Sequence, residues 1–195
     1  MGQQTAGKLI LVRHGESEGN RDRIFTITPA ELALTELGRR QAQDAAVTIG
    51  RRFAPERVIS SPYLRARDTA QIIAARLELP LAVEHDLHER DMGSLRGQPY
   101  DAVPIFPDFD ASWRWTPPGG ESFAGVQQRV APVMDRLARA HPGKEIVIVS
   151  HGGVMLSFWA HVTGSWEGAV VPENCQIIVI EHAGGRYSRP RIVRD

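Results

Sequence analysis

One stretch constrains this chain more than any other: the apolar run Leu9-Ile10-Leu11-Val12, which passes directly into Arg13-His14-Gly15. A run this short and apolar predicts a strand buried on both faces, because a buried helix needs about ten residues or more. Such strands belong to parallel sheets covered by helices on either side. Gly15 predicts a backbone that leaves the sheet in a conformation other residues avoid. A guanidinium and an imidazole are thereby delivered to the carboxyl end of a strand, where ligands bind in open α/β sheets.

The design recurs along the chain. A short strand at Arg57–Ser60 leads into Ser60-Ser61-Pro62-Tyr63-Leu64-Arg65, which opens a helix carrying Ala66, Ala70, Ile73 and Leu77. A strand at Leu81–Glu84 precedes Leu87-His88-Glu89, and one at Glu145–Val149 precedes Ser150-His151-Gly152-Gly153. Thr35 caps a helix to about Phe53, Ser122 caps another over Phe123–Ala140, and a third spans Val154–Val162. Pro132 predicts a kink in the second of these. Gln176–Ile180 is a further strand, and the tail beyond Ala183 reads as a turn and a final strand, permitting an antiparallel edge. Alternating strands and helices predict an α/β fold, a three-layer α/β/α sandwich with a mostly parallel central sheet.

With 195 residues and no linker, the chain reads as a single domain over 1–195. Arg21–Ala33 shows no clean period and reads as a loop. From Asp91 to Pro118 prolines, glycines and aromatics dominate, with Tyr100, Phe106, Phe109, Trp113 and Trp115 among them. Long irregular segments of this kind are usually functional, and this one reads as a lid.

Charge balances at 23 basic and 23 acidic residues, so no overall field recruits nucleic acid or an acidic membrane. Attraction for an anion must be local. Cys175 is the only cysteine, which excludes an internal disulfide and favours a reducing compartment. Met1–Lys8 lacks the apolar core of a signal peptide. The stretch Ile146–Val162 is broken by Ser150-His151-Gly152-Gly153 and is no membrane span. A cytoplasmic protein is expected.

Taken together and in this order, these motifs resemble the histidine phosphatase superfamily, the phosphoglycerate-mutase-like phosphatases, from Leu9 to about Ile180. The resemblance implies that His14 is a nucleophile that becomes phosphorylated. An imidazole can attack only when neutral and with its other nitrogen held by an acceptor, such as a backbone carbonyl. Arg13 and Arg65 offer planar guanidinium forks to the non-bridging oxygens, and their charge lowers the pKa of His14. The resemblance makes His151 the second histidine, which stabilises the transferring phosphoryl group. Asn20 adds a neutral donor. Glu89 fits the general acid that protonates the leaving oxygen and later deprotonates water. Glu84, Asp86 and Asp91 are close competitors, because the family's Gly-x-Trp-Glu-Gly is here Gly93-Ser94-Leu95-Arg96-Gly97.

The expected activity is hydrolysis of a small phosphomonoester with no cofactor and no metal. A mutase would need a second anion site, yet Gln98–Pro117 holds one cation, Arg114, against Asp101, Asp108 and Asp110. Mutase activity is the alternative, since Arg21, Arg23 and Arg96 could compensate. A non-catalytic phospholigand-binding module should lack one of His14, Arg13, Arg65 or His151, and none is missing. Glu84-His85-Asp86-Leu87-His88-Glu89 is rich in metal ligands but lacks helical His-x-x-x-His spacing. Asp108-Phe109-Asp110 follows Pro107, not a buried strand, and Cys175 has Glu181 where a cysteine phosphatase needs arginine. No P-loop is present. Gly119-Gly120 reads as a tight turn before the Ser122 cap, with Glu121 or Ser122 as possible pocket residues.

Overall fold

The computed structural model describes residues 6–26, 28, 32–104 and 109–194. Strand β1 (Gly7–Arg13) is followed by a single-turn helix α1 (Glu18–Asp22) and by α2 (Glu36–Arg52). Then come β2 (Val58–Ser60), α3 (Leu64–Leu77) and β3 (Leu81–Val83). Three 3-10 turns at His85–Leu87, Gly93–Leu95 and Tyr100–Ala102 precede α4 (Phe109–Arg114) and α5 (Phe123–Ala140). The chain continues through β4 (Glu145–Ser150), α6 (Gly152–Thr163) and β5 (Ile177–Ala183), ending in the short β6 (Arg186–Tyr187) and β7 (Arg191–Ile192).

The sheet runs β3-β2-β4-β1-β5-β6, with β7 also pairing with β5. β3, β2, β4 and β1 are parallel, and β5 lies antiparallel beside β1. The apolar run sorts its side chains by alternation. Leu9 and Leu11 join Ile146, Ile148, Val130, Met134 and Phe158 under α5 and α6. Ile10 and Val12 join Val147, Val149, Ile49 and Ile73 under α2 and α3. These two apolar layers make the expected sandwich. Because the four parallel strands point one way, the segments after each of them meet at one end of the sheet.

Thr35 and Ser122 cap α2 and α5 by accepting the N–H groups of Gly38 and Gly125 at 3.1 and 2.9 Å. Pro132 lies within the continuous helix α5. Two expectations need correction. Residues 18–22 are helical, overlapping the segment read as loop, because Ser17 and Asn20 form a reciprocal cap that a single turn can use. Gly15 does not adopt a left-handed conformation. It is small because a Cβ there would stand 2.4 Å from the carbonyl oxygen of Gly38, where the loop crosses the start of α2. Phe106, Pro107 and Asp108 lie outside the described residues, so the Asp108 reading does too.

Candidate active site

His14, just beyond β1, is 2% exposed. Its Nδ1 stands 2.7 Å from the carbonyl oxygen of Gly15 and its Nε2 stands 3.0 Å from Nε of Arg65. A guanidinium only donates, so Nε2 carries the lone pair and Nδ1 the proton, given to Gly15. Burial pushes the His14 pKa well below the ordinary 6.5, with the charges of Arg65 and Arg13 adding to it and the Gly15 hydrogen bond opposing. The ring is therefore neutral near pH 7.

Arg65 belongs to the first turn of α3 and is 4% exposed. Its Nη2 donates to Nδ1 of His151 at 3.2 Å, and its Cζ lies 5.1 Å from the ring centre of Tyr63. With Nδ1 accepting, His151 holds its proton on Nε2 and donates it to Oγ of Ser61, 2.7 Å away. Desolvation, then the charge of Arg65, keeps the pKa of His151 well below 6.5 too. Arg13 donates to the carbonyl of Pro172 at 2.7 Å. Three guanidinium nitrogens among the described residues are buried without a hydrogen-bond partner, and two of them, Nε of Arg13 and Nη1 of Arg65, stand at this site. Buried donors of this kind normally meet an acceptor, and the Arg13 and Arg65 side chains line one cavity, whereas Arg57 does not.

That cavity has a volume of about 610 Å³. Arg13, His14, Asn20, Arg65 and Glu89 all line it, whereas His151 stands behind Arg65 with its ring centre 5.2 Å from that of His14. Glu89 accepts from its neighbour Arg90 N–H at 2.8 Å and from Gly153 N–H at 3.3 Å, at the start of α6. Of the competing carboxylates Asp91 also lines the cavity, paired with Arg96, whereas Glu84 pairs with Arg136 at 2.6 Å and Asp86 is exposed. Among the described residues no three His, Cys, Asp or Glu side chains converge as a metal-holding group. Asn20 is partly committed: its Oδ1 closes the cap of α1, and its Nδ2 donates to the Tyr100 hydroxyl at 3.3 Å.

Neither Glu121 nor Ser122 lines the cavity; Glu121 forms an ion pair with Arg129 at 2.8 Å. Trp113 and Trp115 do not line it either. Trp113 stacks on Trp166, with ring centres 5.0 Å apart, whereas Tyr100 and Val103 of the same segment do face the cavity. Burial pushes the Cys175 thiol up to about 12, which removes it as a thiolate nucleophile.

Several supports are invisible to motif reading. Thr69 accepts the Gly15 N–H at 3.0 Å, and Asn174 donates to the His14 carbonyl at 3.0 Å and to Asn20 at 3.1 Å. Thr69 sits four residues after Arg65, a helical spacing that could have flagged it. Asn174 has no such local signal.

The sequence profile of the histidine phosphatase superfamily (branch 1) matches residues 9–193. The chain belongs to that superfamily. It is 37% identical over 152 residues to a bifunctional protein of Mycobacterium tuberculosis, covering 75% of this chain and 42% of that one. This chain thus spans less than half the length of that relative. A metal-independent phosphoserine phosphatase of Arabidopsis thaliana is 33% identical over 165 residues, covering 80% of this chain and 68% of that one. Among solved structures, mycobacterial glucosyl-3-phosphoglycerate phosphatase complexed with VO3 superposes with a TM-score of 0.81 at 28% identity, covering 96% and 98% of the two chains. Among the described residues no helix is long and apolar enough to cross a membrane.

Proposed function

We propose that the protein hydrolyses a small phosphomonoester through a phosphohistidine on His14. The observation that carries this reading is the neutral Nε2 of His14, held against Arg65 between two guanidiniums that each keep a buried donor unfilled. Such donors suit the charge of a phosphoryl group, which asks for positioning and positive charge more than for covalent help.

The phosphate dianion takes the unfilled donors of Arg13 and Arg65 and replaces His14 as the partner of Arg65 Nε. Asn20 adds its second amide hydrogen, and His151, relieved of Arg65, turns its Nδ1 to the phosphoryl group as a hydrogen-bond donor once protonated. The dianion offsets the cationic charge that otherwise keeps His151 neutral. Nε2 attacks phosphorus, and the P–O bond to the leaving group breaks with a proton from Glu89. The Nδ1–H bond to Gly15 holds the ring while it carries the phosphoryl group. Water then attacks phosphorus, Glu89 takes its proton, and His14 and phosphate are released.

Charge supplied by arginine makes the reaction independent of divalent metal, and the single cysteine fits a cytoplasmic setting. The deciding experiment is acid-stable against acid-labile labelling with radiolabelled substrate. Wild-type protein should form an acid-labile, base-stable phosphoenzyme, and His14→Ala should form none. A label retained by the variant would move the nucleophile elsewhere.

A further inference from the structure

Beyond the phosphate subsite, the cavity divides its cations and its apolar surface unevenly. Its apolar lining includes Ile24, Phe25, Leu32, Tyr100, Val103 and Phe123. Backbone hydrogen bonds hold the Phe25 and Tyr100 segments together: Phe25 N–H donates to Gln98 at 2.9 Å, Gly97 N–H to Phe25 at 3.1 Å, and Tyr100 N–H to Arg23 at 2.9 Å. The Phe25 and Tyr100 rings meet at 4.8 Å with a 46° tilt, a face suited to another flat group.

Among the described residues two further cations line the cavity, and both already have partners within the protein. Arg90 donates to the carbonyls of Glu121 and Trp115, and its Cζ lies 4.1 Å from the Phe123 ring centre. Arg96 is bound by both carboxylate oxygens of Asp91. Glu89 and Asp91 line the same cavity and balance these two charges. Arg23 lies against the Tyr100 ring at 5.7 Å and does not line the cavity.

We infer that the substrate is a phosphomonoester whose alcohol portion is uncharged and aromatic or aliphatic, and that a second anionic group on it is rejected. Among the described residues an added carboxylate or phosphate would meet Glu89 and Asp91 with no cation lacking an acidic or carbonyl partner to receive it, and would lose its hydration against Phe25 and Tyr100. This rests on the phosphatase reading, and it separates the chain from phosphoserine and glucosyl-3-phosphoglycerate as substrates and from mutase chemistry.

The test uses calorimetric binding of three phosphonates, whose C–P bond resists hydrolysis: benzylphosphonate, naphthylmethylphosphonate and 4-carboxybenzylphosphonate. Naphthylmethylphosphonate should bind at least about tenfold more tightly than the carboxybenzyl compound, with benzylphosphonate between them. Phe25→Ala should narrow that gap. Asp91→Asn releases Arg96 while keeping an acceptor for Gly93 N–H, and Val103→Arg adds a cation independently. Each should improve carboxybenzyl binding relative to benzyl by about tenfold. Equal or tighter wild-type binding of the carboxybenzyl compound, or an unmoved ratio in both variants, overturns the inference. Turnover of phenyl and 4-carboxyphenyl phosphate is measured in parallel. Selective phosphonate binding without turnover of either ester sinks the phosphatase reading alone, turnover without discrimination sinks the substrate class alone, and no phosphonate binding counts against both.

Discussion

Arg65 donates its Nε–H to the Nε2 lone pair of His14 across 3.0 Å. The cation proposed to hold the phosphate also holds the proposed nucleophile, and in the reading above the two bonds exclude each other. On that reading phosphate entry and exposure of the lone pair are one event.

The first prediction follows from the cost of that arrangement. Arg65 is buried, like-charged Arg13 is near, and one of its nitrogens lacks a partner. Arg65→Met should lower kcat/KM by about two to three orders of magnitude, as loss of an aimed donor does. It should also leave the melting temperature unchanged or raised, because a desolvated charge is exchanged for apolar packing. A melting temperature several degrees lower would show that Arg65 holds the fold rather than the substrate.

Acid should weaken the protein through its buried imidazoles. Both His14 and His151 have folded-state pKa values well below 6.5, so the unfolded chain binds protons that the folded chain refuses. Stability is thus fully present above about pH 6.5 and falls as pH drops below it, by up to about 1.4 kcal/mol per pH unit for each histidine. Urea midpoints at pH 7.5 and 5.5 check this, and the double variant His14→Gln, His151→Gln should show a distinctly flatter dependence.

Gly153 sets the position of the proposed acid. A Cβ on Gly153 would stand 2.4 Å from Oε1 of Glu89, so Gly153→Ala must displace the carboxylate, the flexible partner in that contact. Both Gly153→Ala and Glu89→Gln should slow phosphoenzyme formation from alkyl phosphates by about a hundredfold, and far less from nitrophenyl phosphate, which departs without a proton. Single-turnover rates decide the point; equal losses on both substrates would disqualify Glu89 and turn attention to Asp91, the other carboxylate lining the cavity.

Trp113 belongs to the support of the site rather than to its surface. Its stacking on Trp166 and its edge contact with Phe123, at 5.9 Å, predict that Trp113→Ala costs about 1–2 kcal/mol of stability and leaves the order of substrate preference intact. Denaturation curves and a phosphomonoester panel measure the two effects separately.

Chelation should be without consequence. Prolonged dialysis against EDTA is expected to leave turnover within experimental error if, as proposed, Arg13, Arg65 and His151 supply the charge a divalent ion would otherwise supply. Loss restored by one divalent ion would call for a different charge source.

Strand-end chemistry was readable because each motif is local: a buried apolar run, then a functional side chain within two or three residues. That is why the sequence places His14, Arg65 and the segment carrying Glu89 at strand ends, and why the sandwich follows from alternation. Contacts between distant segments left no such trace. Asn174 reaches the His14 carbonyl over a separation of 160 residues, and the tight crossing of Gly15 over Gly38 shows in sequence only as two glycines. The tryptophans misled for a related reason: an aromatic residue in an irregular segment packs inward or faces a ligand according to neighbours the segment does not contain.

Strand order carries a last consequence, for the way the chain is made. β1 precedes its neighbours β4 and β5, formed from residues 145–150 and 177–183, by more than a hundred residues. During synthesis the apolar Leu9–Val12 strand therefore has both hydrogen-bonding edges bare until those later strands have left the ribosome. His14 is translated well before the two strands that flank the one presenting it. Nascent chains arrested before β4 should accordingly be sticky, chaperone-bound and inactive, with β1 as the exposed template.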